Sequence, residues 1–144
     1  MQPSADVQQV MRELEKNEFH AFYVPDGAAA KETVLKLVPA GKSVGVGGSV
    51  TIRDLGLVEE LRQRGHTVYD HWDKSLTPLQ LKETLRGQRN CDVFLSSSNA
   101  IAKDGQLVNL DGSGNRVSCL TAGPEKVIVV ASVNKITADV AAGI

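Results

Sequence analysis

The sequence predicts an α/β domain: an open, mainly parallel sheet with flanking helices and a small antiparallel flap. Apolar runs of strand length, "KSVGVGG", "HTVYD", "CDVFLS" and "KVIVVASV", recur along the chain. The stretches between them repeat apolar residues at helical spacing and open on capping residues. Parallel neighbours need crossover connections, which helices supply, so this alternation reads as βαβ units. The flap follows from "AIAKDGQLVNL", two short apolar segments around Asp104-Gly105, the dipeptide of a type I′ hairpin in which both positions take positive φ.

Each element has a local reason. Ser4 caps a surface helix with Val7, Val10, Met11 and Leu14 on one face. "FHAFYV" reads as a short strand. Asp26 then opens an Ala-rich helix with Ala30, Val34, Leu37 and Val38 on one face, ended by Pro39 and Gly41. After the strand "KSVGVGG", Thr51 and Asp54 have capping-box spacing and Val50 and Leu55 staple spacing, so a helix runs from there to about Gly65, weakened at Gly56. "HTVYD" is the next strand. Thr77, Pro78 and Gln80, with Leu76 and Leu81 as the staple, combine cap, N1 proline and capping box at the start of another helix. "CDVFLS" follows as a central strand. Beyond the flap, residues 116 to 122 read as a short helix closed by Gly123, "KVIVVASV" as a fourth strand, and Thr137 as the cap of a terminal helix.

The totals bound the function. A chain of 144 residues, 42% hydrophobic, closes one sizeable core and falls short of two, so one domain over 1–144 is expected. The chain ends at "TADVAAGI", inside what reads as a helix; the expectation is a domain truncated at its C-terminus, with an open sheet edge that admits a homodimer. Sixteen basic against 17 acidic residues give a net charge of -1, which supplies no basic surface for nucleic acid or an anionic bilayer. The apolar runs fall short of the roughly 20 residues of a membrane helix. Cys91 and Cys119, far apart in sequence, form neither a disulfide framework nor a metal-ligand cluster, and a reducing cytoplasm fits them. His20, His66 and His71 have no partners at metal-ligand spacing, so surface or capping roles are expected and no metal is assigned. Phe19, Phe22, Tyr23 and Trp72 are expected to pack the edges of the core.

Ligands of open α/β sheets bind at the carboxyl ends of strands, and three polar segments lie there. In "GVGGSVT", Gly47 and Gly48 let backbone approach an anion, with the Ser49 and Thr51 hydroxyls beside them. The spacing matches neither the dinucleotide fingerprint nor the Walker loop, and a tight, satisfied strand-to-helix turn is the other reading. The second segment, "SSSNAI" with "NLDGSGNR", holds Ser98, Asn99, Asp111, Gly112, Asn115 and Arg116. Turn chemistry accounts for Asp111-Gly112 but not for Arg116, whose guanidinium suits a carboxylate of the same loop, Asp111, or one belonging to a ligand. In the third, Lys135 follows "VIVVASV", either as a surface lysine or as an ammonium facing the same mouth.

At "VGVGGSVTIRDLG", "SSSNAI", "DGQLVNLDGSGNR" and "GPEKVIVVASVNKI" the chain closely resembles the lactate-utilisation (LUD) domain family, short lactate-utilisation protein C type, over nearly all of residues 8 to 144. The resemblance implies the fold shared by ribose-5-phosphate isomerases, glucosamine-6-phosphate deaminases (the NagB/RpiA type) and coenzyme A transferases. It also implies a role in oxidising L-lactate to pyruvate with iron-sulfur partner subunits, and one pocket shared by the glycine loop and the acidic-glycine loop. Carried over by motif, Gly47, Gly48, Ser49 and Thr51 form the anion loop, and Ser98, Asn99, Asp111, Gly112, Asn115 and Arg116 the second wall. Lys135 takes the place of a basic residue near phosphate. The ligand expected is a small anionic metabolite, and the cofactor is unassigned. Short members continue past "NKI" with an Arg-rich turn and a cysteine cluster that are absent here. Two other readings stand beside this one: a stand-alone isomerase or acyl transferase with Asp111 as base or nucleophile and Lys135 and Arg116 stabilising developing negative charge, and a non-catalytic anion sensor or scaffold.

Overall fold

The computed structural model describes residues 2–144. Its first half runs α1 (Ala5–Lys16), α2 (Gly27–Leu37), β1 (Val44–Val46), α3 (Val50–Asp54), α4 (Leu57–Gln63) and β2 (Val68–Asp70). The second half runs α5 (Pro78–Asn90), β3 (Val93–Ser96), β4 (Ala100–Ala102), β5 (Leu107–Val108), α6 (Asn115–Thr121), β6 (Lys126–Val129), a 3₁₀ turn at Val133–Lys135, β7 (Ile136–Thr137) and α7 (Val140–Gly143). The four apolar runs form one parallel sheet of order β2-β1-β3-β6, with Val44 paired to Val68 and Val93, and Val93 to Lys126.

The alternation of side chains along β1 and β3 divides the core in two. Val44, Val46, Val93 and Leu95 pack with Val34 of α2 and Val38 at its end, Ile52 of α3, and Leu57, Val58 and Leu61 of α4. Phe94 faces the other way and packs with Cys91, Cys119, Tyr69 and Leu120 beneath α5 and α6. Both central strands are buried along their whole length, which is why their sequences read as unbroken apolar runs.

Several helix starts form as their sequences dictate. Ser4 and Asp26 accept N–H bonds from Val7 and Ala29, and Thr77 and Gln80 form a reciprocal capping box. Other starts differ. Ser49, not Thr51, caps α3 by accepting the Ile52 N–H; Asp54, shorter than the Glu or Gln of a capping box, does not reach back. The expected continuous helix splits at Gly56, whose φ of 66° ends α3 and opens α4. Asp139 rather than Thr137 caps α7, because Thr137 lies in β7 and its hydroxyl donates to Asp139 O.

"FHAFYV" is not a strand. The Phe19 N–H donates to Leu14 O and the Ala21 N–H to Glu15 Oε1, so the segment hydrogen-bonds the end of α1 instead of a sheet. The flap is a hairpin of β4 and β5, extended into a mixed three-stranded sheet by β7, which runs parallel to β4. Its turn is not type I′. Gly105 alone has positive φ, 80°, and its N–H donates to Ala102 O while Ala102 N–H donates to Gln106 O. That is a three-residue loop with glycine in the left-handed position. Among the described residues no helix is long and apolar enough to cross a membrane.

Candidate functional site

The order β2-β1-β3-β6 reverses direction at β1, so the ends of β1 and β3 flank a topological switch point. The glycine bend leaves β1 there. Gly47 N–H donates to Leu95 O at 2.9 Å, and a Cβ on Gly47 would stand 3.1 Å from Ser96 Oγ and 3.3 Å from Arg116 Cγ. A side chain at this position would press Ser96 and Arg116 apart by a few tenths of an ångström, so glycine lets the two bends lie this close without adjustment.

Arg53 holds the bend from behind. Its Nη1 donates to Gly47 O at 3.2 Å and Ser49 O at 2.9 Å, its other terminal nitrogen pairs with Asp70, and its Cζ lies 4.0 Å from the centre of the Trp72 ring. The indole in turn packs on Gly48. Trp72 therefore braces the bend, not the edge of the core as its apolar character predicts.

The facing wall is built around Arg116. Nε donates to Asp111 Oδ1 at 2.9 Å, Nη1 to Ser97 O at 3.1 Å, and Nη2 to Leu110 O at 3.2 Å and to Asn99 Oδ1. Asp111 Oδ2 accepts the Val117 N–H at 2.7 Å, tying the loop to α6. Both charged side chains are only 12% exposed, so of the two partners open to Arg116, the structure supplies Asp111. Asn99 Oδ1 also takes the Leu110 N–H, and Ser98 Oγ donates toward Ala100 O and Val108 O.

Beneath the two bends lies Gln88, fully buried on α5. The two hydrogens of its Nε2 face Val46 O at 2.8 Å, Tyr69 O at 3.0 Å and His71 Nδ1 at 2.9 Å, and its Oε1 accepts from Asn115 Nδ2 at 2.8 Å. One amide thus links the strand end before Gly47 to the residue before Arg116. His71 is the acceptor in its pair. Burial pushes its pKa below the ordinary 6.5, with Asp70 opposing and Arg53 reinforcing that shift.

Gly48, Ser49, Thr51, Ser98, Asn99, Asp111, Gly112, Arg116 and Lys135 all line one open cleft of about 340 Å³. Gly47 sits behind it against Arg116, and Asn115 turns inward to Gln88. Val50, Ser97 and Leu110 line the cleft too; Ser97 belongs to the polar segment "SSSNAI", whereas the sequence singles out neither Val50 nor Leu110 for the site. Nor does it single out Arg53 or Gln88. Arg53 carries a signal, since four residues after a helix cap it lies one turn along and its side chain reaches back to the capping bend. Gln88 carries none, because its partners come from three other elements. Among the described residues no three His, Cys, Asp or Glu side chains are grouped to hold a metal ion.

Compared with protein-family models, residues 7–144 match the LUD domain. No curated protein and no solved structure matches the chain.

Proposed function

Because the chain belongs to the LUD domain family, we propose that it serves lactate utilisation by holding a small carboxylate, or an anionic cofactor, between the glycine bend and the Arg116 loop. The observation that carries this reading is the charge balance of the cleft. Arg116 and Asp111 neutralise one another, whereas Lys135 is exposed on the lining and forms no ion pair among the described residues. The cleft therefore offers one uncommitted positive charge, with Ser49 and Thr51 on the same lining. Its place at the switch point of a parallel sheet is where ligands of such sheets bind, and it supports the likeness to the sugar-phosphate isomerase type of fold.

In this reading oxidation of L-lactate to pyruvate releases two electrons and two protons, the electrons passing to the iron-sulfur partner subunits implied by the family and the protons to solvent. This domain supplies the seat for the organic acid. A stand-alone isomerase or transferase would need Asp111 as base or nucleophile. Both of its oxygens already accept hydrogen bonds, from Arg116 and the Val117 N–H, which favours an anchoring role instead. Isothermal titration with L-lactate, pyruvate and sugar phosphates at millimolar concentration tests the proposal. Heat with at least one of them, and an affinity about tenfold lower in Lys135→Ala, is the expected result for a charge-assisted contact. No heat with any of these anions overturns it.

A further inference from the structure

The cleft is not polar all round. Val50 from the glycine bend and Leu110 from the Arg116 loop line it, 62% and 76% exposed. Single exposed apolar residues are ordinary, but these two come from separate elements onto one cleft, and Leu110 is held in place without burying its side chain. Its N–H donates to Asn99 Oδ1 and its carbonyl accepts from Arg116 Nη2, so the polar network that shapes the site also fixes an outward leucine. Val50 is likewise fixed, as the first residue of the helix that Ser49 caps.

Size points the same way. At about 30 Å³ of liquid volume per water, the cleft has room for on the order of ten waters, and a three-carbon acid displaces only some of them. Resting on the anion-binding reading above, we infer that the preferred occupant is a carboxylate with an apolar tail, its charge toward Lys135 and its tail against Val50 and Leu110. Both parts of such a molecule find a complement that lactate, with a single methyl group, only half uses.

The test is a titration series on the whole chain: L-lactate, L-2-hydroxybutyrate and L-2-hydroxy-4-methylpentanoate, with D-gluconate as a larger, fully polar control. Each added carbon is expected to tighten binding about threefold, below the full transfer value because the cleft is open, so the branched acid should bind at least tenfold tighter than lactate, with no such gain for gluconate. A Val50→Ser, Leu110→Ser double variant should flatten the series; both side chains are exposed, so the fold is retained. A series equally steep in the double variant overturns the assignment to these residues. Equal affinity across all four acids overturns the inference and leaves anion binding standing, whereas no binding by any of them overturns the anion-binding reading and this inference with it.

Discussion

Arg116 shows how one largely buried side chain organises the wall of a cleft. Its guanidinium reaches a carboxylate, a side-chain amide and two carbonyls, contributed by two separate loops. Arg116→Ala strands the Asp111 carboxylate and should cost about 3 kcal/mol in urea unfolding. Arg116→Lys keeps the charge but not the fork, and should recover less than half of that. His71 gives the molecule a pH dependence. Its folded pKa lies below the unfolded value because burial opposes its charge, so the unfolded chain binds the extra proton more readily. Stability is therefore fully present above about 6.5 and falls as pH drops toward and through the folded value. Protonation also turns Nδ1 from acceptor to donor opposite Gln88 Nε2. Unfolding midpoints at pH 7.5 and pH 5 should show this loss, and His71→Leu should shrink it. Arg116 stood out in the sequence because turn chemistry leaves a guanidinium unexplained. Gln88 did not, because a glutamine on a helix declares nothing until the carbonyls of β1 and β2 are placed beside it.

At the scale of elements, local signals succeeded where one residue type had one use. The caps Ser4 and Asp26 and the Thr77 capping box needed only their own helices. They failed where neighbours competed, as Ser49 and Thr51 did for α3, or where the partner lay elsewhere, as for "FHAFYV" against α1. The flap turn was placed correctly and given the wrong geometry, because Asp104-Gly105 serves a three-residue loop as well as a two-residue one. Gly105 packs against α1, and a Cβ there would approach the Glu13 carbonyl carbon to 2.6 Å at a φ of 80°. Gly105→Ala should therefore destabilise more than Gly56→Ala, whose φ is also positive but whose nearest neighbour is the Lys31 Nζ at 3.5 Å. The expected costs are about 1 kcal/mol at Gly56 and at least twice that at Gly105, read from thermal or urea midpoints.

For the whole molecule, the fold class was legible because strand-length apolar runs alternate with capped helices. The strand order was not, since parallel runs of similar composition carry no label for their neighbours. That order brings Cys91 and Cys119, distant in sequence, into one cluster with Phe94. Both are free and buried; burial pushes the Cys91 thiol up to about 11 and raises that of Cys119. A thiol-labelling reagent at pH 8 should leave both unmodified in the native protein and modify both in urea.

The same order brings the glycine bend and the Arg116 loop to one mouth, and anion capture between them is the central claim. Amide chemical shifts followed during titration with a small carboxylate test it most directly. Shifts at residues 47 to 51 together with 97 to 99 and 110 to 112, saturating along one curve, are the predicted result. Shifts confined to one bend, or centred elsewhere in the molecule, would contradict it.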